Sequence, residues 1–209
     1  DTLHRLYDAW LSIPPERRDR FVGVTGLCAR PDGAVVGDRY PRDVLDCTAT
    51  DMHFKWRVGG EKFGCQRTDV LRRFPYPEDV PGFVPESLVW WAIARAGYLN
   101  RFVNQVFRVY HPTTVSLSTT SSAAQSHVAG LYLLNWQLLQ AEWRYAKYAP
   151  WRFVAAALRL TRYRAALRRK GPAQVLTAYP LTHPVGRVLV KLLSPLGYLL
   201  VWRDRVGRR

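Results

Sequence analysis

Apolar residues recur along this chain with two periods, and the period changes past its middle. Residues 1–12 (DTLHRLYDAWLS) put Leu3, Leu6, Tyr7 and Trp10 at helical spacing, and Ile13-Pro14-Pro15 ends the run. Phe21 to Leu27 (FVGVTGL) alternates as a core strand. The turn signal Pro31-Asp32-Gly33 ahead of Ala34-Val35-Val36 then predicts a hairpin. Asp43 to Asp51 reads as loop, and His53 to Val58 (HFKWRV) alternates as a strand running into a Gly-rich loop that carries Glu61 and Lys62.

Thr68 reads as the N-cap of a short helix with Asp69 in its first turn and Val70, Leu71 and Phe74 on its apolar side. Pro75, Pro77, Pro81 and Pro85 stiffen the next segment, which delivers Glu86 to a helix built on Leu88, Val89, Trp91, Ala92 and Ile93 and stopped by Gly97. Phe102 to Tyr110 (FVNQVFRVY) reads as a strand ending at His111-Pro112, and the uncharged Ser/Thr-rich stretch 113–126 as a mobile loop or lid. From His127 onward the period is helical. One helix uses Leu131, Leu134, Trp136, Leu138 and Leu139, a second runs from Pro150 to Gly171, and a third segment, Val185 to Trp202, is expected to break at Pro195 and Gly197. The fold class expected is α/β, a mixed sheet with flanking helices over residues 1–120, followed by a basic α-helical extension over 121–209.

Charge sharpens that division. Of the 31 Lys and Arg, fifteen lie after residue 140, against two of the 16 acids, Glu142 and Asp204, so the last third carries +13 of the +15 net charge. Those cations share their segment with long aliphatic runs and Trp, which suits an interfacial helix on an anionic membrane surface. Nucleic-acid binding is the rival, and would call for basic residues interleaved with exposed aromatics on a sheet or groove. Cys28, Cys47 and Cys65 stand 19 and 18 apart without a Cys-x-x-Cys or a His pair, so neither a zinc site nor a disulfide framework is expected. With no secretory signal and no uninterrupted apolar run of bilayer length, the expected location is cytoplasmic, peripheral at the inner face of the cell membrane.

Several residues carry candidate chemistry. Arg67 and Lys62 beside a helix N-terminus can hold a phosphate. Glu86 at a helix start is either an acid favoured by the helix dipole or a general base. Trp90 and Trp91 follow it on the same helix, available to a core or to a sugar ring. Asp46 and Asp51 are either loop and cap carboxylates or substrate contacts.

The order G-E-K-x-G-x-x-R-T-D-V-L-R-R, then F-P-Y-P-E-D, then G-F-V-P-E-S-L-V-W resembles the acceptor-side half of family 2 glycosyltransferases of the GT-A type, especially bacterial enzymes of surface-polysaccharide assembly. The resemblance extends more weakly from Asp1 to about Ser118. It implies an inverting enzyme that moves a sugar from a nucleotide-sugar donor to a glycan or lipid-linked acceptor, with a divalent metal (Mn or Mg) in the intact enzyme. It assigns Glu86 as base, Glu61 and Lys62 to the acceptor-side loop, Arg67 to the diphosphate and His111 to the metal or phosphate. The family often has Glu-Asp where this chain has Glu86-Ser87. The donor half with its Asp-x-Asp motif has no counterpart in the 209 residues, so the chain is expected to be a fragment or a shortened relative, and a non-catalytic partner is the alternative. An incomplete sheet leaves an edge for the missing residues, a second copy of the chain or the tail to cover.

Overall fold

The structure is a computed structural model that describes residues 1–111 and 127–206. It divides into two compact units, Asp1–Pro75 with Val89–Thr114, and Tyr76–Leu88 with Val115–Arg209. The segment Tyr76–Leu88, which holds Glu86, therefore groups with the helices rather than with the sheet on either side of it in sequence. The expected lid at 113–126 lies outside the described residues.

The first unit is a four-stranded mixed sheet with flanking helices, which bears out the α/β class. Its strands are β1 (Phe21–Ala29), β2 (Val44–Cys47), β3 (Lys62–Gln66) and β4 (Leu99–Val109), in the order β2-β4-β1-β3. β1 and β4 run parallel at the centre; β2 pairs antiparallel with β4, and β3 antiparallel with β1. A central parallel strand must bury both faces, and only Thr25 of β1 is not fully buried. Helix α1 (Thr2–Leu11), capped by the Asp1 carboxylate accepting from the Leu3 N–H, lies on one face. There Leu6, Ala9 and Ile13 pack on Phe21, Val24, Val103 and Phe107. Neighbouring strand residues go to the opposite side, as a period of two requires: Phe102 joins Leu27, Tyr40, Cys47 and Met52, and Val22 joins Val70, Val89 and Ile93.

Five local expectations are corrected. The buried side of α1 is Leu6 and Ala9, continued by Ile13 just past the helix, while Leu3 and Tyr7 are 73% and 59% exposed. The stretch expected to be loop at 43–51 contains β2, and the Gly-rich loop expected around Lys62 is β3. His53 to Val58, expected as a strand, begins inside a π-helical turn, Asp51–Lys55, whose Met52 and Phe54 are buried. The hairpin after β1 shrinks to a single bridge, Ala29 to Val35, around a turn with Gly33 at φ 84°.

The second unit is helical. Helix α3 (Ser87–Arg95), which follows the short α2 (Thr68–Leu71) in sequence, starts in it, and α4 (Val128–Ala141), α5 (Pro150–Lys170), α6 (Gln174–Ala178) and α7 (Pro184–Val206) follow. α5 packs against both α4 and α7. α4 is buried almost all round, with even Asn135 and Gln137 enclosed, so the Leu131–Leu139 pattern marked no single face. Its polar side chains hold the connection between α6 and α7: Tyr132 and Trp136 donate to the carbonyls of Tyr179 and Pro180, and Gln140 donates to Thr182 and accepts from Thr182 and His183. α7 does not break at Pro195 as expected. It runs through as 23 helical residues, with the Ser194 hydroxyl bonded back to the Val190 carbonyl one turn earlier.

Candidate functional site

Glu86 is placed by a loop that is itself fastened to α4. The Phe83 N–H donates to His127 Nδ1 at 3.2 Å, with the two rings edge to face at 5.2 Å. The Phe83 carbonyl rests so close on Gly130 that a Cβ there would meet it at 2.1 Å, so only glycine lets the loop lie on the helix. Val80 is buried, Gly82 turns the chain at φ 84°, and Gln137 donates to the Leu88 carbonyl just past the site at 3.1 Å. Between these anchors Glu86 is exposed, directly before Ser87, the first residue of α3. Among the described residues no hydrogen bond or ion pair engages its carboxylate. Tyr76 stands near it: burial pushes the Tyr76 hydroxyl up from its ordinary value and the Glu86 charge adds to the push. The arrangement is a solvent-facing carboxylate on a fixed support, able to accept a proton from a bound hydroxyl.

The other candidates lie in the first unit, and most are bonded within it. Lys62 opens β3 with its ammonium donating to the carbonyls of Asp38 (3.0 Å) and Gly59 (2.7 Å). Burial lowers its pKa, against the opposing influence of Asp38. These bonds lock two crossing loops. Gly37 and Gly60, both at positive φ, meet backbone to backbone, and Gly59 exchanges hydrogen bonds with Asp38. The loop beside Lys62 thus uses Gly60 to admit another stretch of this chain. Gly64 likewise makes room for the Val24 carbonyl of β1.

Arg67 is committed too. Its guanidinium holds Asp69 by two bonds, Nε to Oδ1 at 3.1 Å and Nη2 to Oδ2 at 2.6 Å, and Nη1 reaches the carbonyls of Arg18, Asp19 and Phe21. That bond raises the Arg67 pKa and lowers the Asp69 pKa. Arg67, rather than Thr68, precedes α2 as its cap, and its side chain ties the helix to the start of β1. Glu61 remains exposed, with a 3.9 Å ion pair to Arg108. Trp91 is 5% exposed and its ring packs on Phe54 and His53, which gives it to the core; Trp90 is half-buried beside the Val22, Val70, Val89 and Ile93 cluster. His111 is exposed just past β4, and among the described residues it belongs to no group of three His, Cys, Asp or Glu able to hold a metal.

The two carboxylates weighed alongside these are structural. Asp46 pairs with Arg101, and Asp51 closes a helix start with Thr48, whose hydroxyl accepts from the Asp51 N–H at 3.0 Å and donates to its carboxylate at 2.7 Å. Comparison with protein-family models, curated proteins and solved structures finds no match for this chain.

Proposed function

We propose that this chain is the acceptor-side part of an inverting GT-A-type glycosyltransferase that uses a nucleotide-sugar donor and a glycan or lipid-linked acceptor in surface-polysaccharide synthesis, with Glu86 as general base. The observation that carries the reading is the exposed Glu86 carboxylate, unengaged among the described residues, at the head of α3 on a loop fixed by Phe83 and Gly130. The motif order around it supports the same assignment. In the reaction the acceptor oxygen bonds to the anomeric carbon as its proton passes to Glu86. The bond from that carbon to the nucleoside diphosphate breaks from the opposite face, and the diphosphate leaves with the electron pair. Inversion follows from attack opposite the leaving group.

Among the described residues no group of three His, Cys, Asp or Glu could hold a metal, and the divalent metal that the resemblance implies would be held by the donor half. Lys62 and Arg67 act as internal fasteners in this reading. A second reading, a non-catalytic partner of such an enzyme, is favoured by the internal commitment of both cations.

The deciding experiment supplies a donor-binding half to this chain and measures sugar transfer from UDP- and GDP-sugars with manganese. Glu86→Gln is expected to lower turnover at least about 100-fold while leaving donor affinity unchanged. Unchanged turnover removes Glu86 as base, and absence of transfer with every donor half favours the partner reading.

A further inference from the structure

Helix α7 has three distinct sides. Gly186, Val190 and Gly197 form the buried one, where a Cβ at Gly197 would meet Thr161 of α5 at 2.8 Å and one at Gly186 would meet the Leu139 carbonyl of α4 at 2.7 Å. Small residues thus let α7 seat closely on both neighbours. Turned away from them, Val185, Val188, Leu192, Leu196, Leu199 and Trp202 follow at steps of three or four, and each is more than half exposed. A third strip, between these two, carries Arg187, Lys191 and Tyr198, all exposed.

A soluble surface helix normally turns polar residues outward, so an apolar strip running its length needs an apolar neighbour. Length and composition alone would let α7 cross a bilayer. Pro184–Trp202 has a mean hydropathy of 1.4 over 19 residues, only 17% of that window is buried, and the helix rises about 28 Å over that span. The run is nevertheless interrupted by Arg187 and Lys191. The neighbouring helix argues against crossing, however. Within one turn of the Thr161–Gly197 contact, α5 carries Arg159, Arg162 and Arg164, all exposed, and a spanning α7 would draw these side chains into hydrocarbon. A helix lying flat keeps them in the headgroup layer or in water.

We infer that α7 docks in the plane of an anionic phospholipid surface, with the Val185–Trp202 strip among the acyl chains and Arg187 and Lys191 beside lipid phosphates. Charge complementarity selects this occupant. The strip lies within a segment carrying +13, and a cationic rim along an apolar face suits anionic headgroups over an uncharged protein groove. The inference does not depend on the glycosyl-transfer reading, since it uses only α5 and α7.

The test is flotation of the purified chain with vesicles of phosphatidylglycerol and phosphatidylcholine, and of phosphatidylcholine alone. Leu192→Glu with Leu196→Glu is expected to lower partitioning at least tenfold with helicity and thermal transition unchanged. Arg187→Gln with Lys191→Gln should lower it severalfold on anionic vesicles and little on neutral ones. Orientation is read in a Cys65→Ser background from nitroxide labels placed singly at 188, 192, 196 and 199. Similar depths for all four support a helix in the plane, and a steady gradient across the bilayer overturns it. The proposal also falls if the Leu192/Leu196 variant floats like the parent, if the chain binds RNA but no vesicle, or if the strip proves to join two copies of the chain that ignore lipid.

Discussion

Asp46 and Arg101 sit opposite each other in the β2–β4 ladder and close a two-pronged ion pair, Nε to Oδ1 and Nη2 to Oδ2, both 2.8 Å. The Arg101 side chain is only 9% exposed, and its remaining Nη1 donates to the Ser12 hydroxyl just past α1. The pair therefore joins three elements, and each partner offsets the desolvation of the other.

Removing one partner should cost more than removing both. Asp46→Asn leaves a guanidinium in a nearly closed site, and a loss of about 3 kcal/mol is expected from the usual cost of stranding a buried charge. Asp46→Leu combined with Arg101→Met should lose less than either single change. Urea denaturation of the three variants checks this, and equal losses would show that the pair carries little electrostatic weight.

The crossing of the 37 and 60 loops predicts a contrast among glycines that share a conformation. Gly33, Gly37 and Gly60 all have φ between 80° and 88°, but a Cβ at Gly33 meets nothing within 4 Å, whereas at Gly37 and Gly60 it runs into backbone at 2.4 Å. Gly33→Ala should cost only the left-handed penalty of about 1 kcal/mol. Gly37→Ala and Gly60→Ala should cost at least about twice that, with Lys62 losing its two carbonyl partners as the loops part. Thermal unfolding of the three variants separates the terms.

Thiol chemistry should divide the cysteines. Cys28 and Cys47 are buried and Cys65 is exposed on β3, so a disulfide-exchange reagent should titrate one thiol in the folded protein and three in denaturant.

Alkaline stability carries the same signature. Burial, with Asp51 and Asp46 adding to it, pushes the Cys47 thiol from 9.0 up to about 12. Between those values the unfolded thiol has ionised while the folded one has not, so the unfolded state is favoured as pH rises. The Cys47 contribution is thus intact below pH 9 and lost through about pH 12, at no more than about 1.4 kcal/mol per unit. Cys47→Ala should flatten the fall of stability above pH 9, and an identical slope in the variant would show that the thiol is not the group responsible. Burial raises Tyr40 as well, so some slope remains in the variant.

Gly130 offers a way to disturb Glu86 without altering it. Gly130→Ala puts a methyl group against the Phe83 carbonyl and should lift the 76–85 loop off α4. Limited proteolysis is expected to cut the variant within that loop several times faster than the parent, with the spectrum of the helices unchanged.

Much of this architecture was legible in the residue pattern where burial and period coincide. β1 is apolar enough to announce a core strand, most of β4 reads as a strand, and the run from Pro150 to Gly171 carries its own stop signals. The sequence was misread where an interaction between distant residues replaces local pattern. β2 has four residues, and its Asp46 reads as loop until Arg101 is placed across from it, 55 residues further on. β3 is only partly buried and holds Gly64 because β1 leaves no room for a side chain there. The turn at Asp51–Lys55 did leave a signal: Thr48 and Asp51 have the spacing of a capping box, which the alternation of HFKWRV obscured. Among the candidate residues, the position of Glu86 just ahead of α3 was legible because prolines and a helix start mark it locally. The bonding of Lys62 and Arg67 was not, since beside the near partners Gly59 and Asp69 it uses the carbonyls of Asp38, Arg18, Asp19 and Phe21, 24 to 49 residues away.

The parallel pairing of β1 with β4 sets an order of events for a chain being made. β1 is complete at Ala29, but the strand that fills its second edge begins at Leu99, about 70 residues later, or roughly 4–14 s at ordinary rates of synthesis. Until then the most apolar strand of the first unit has at most β3 on one side and nothing on the other, and Leu6 and Ala9 of α1, with Ile13 just past it, lack Val103 and Phe107. A nascent chain halted between these points exposes a sticky edge that a chaperone, or another nascent chain, can reach before β4 does.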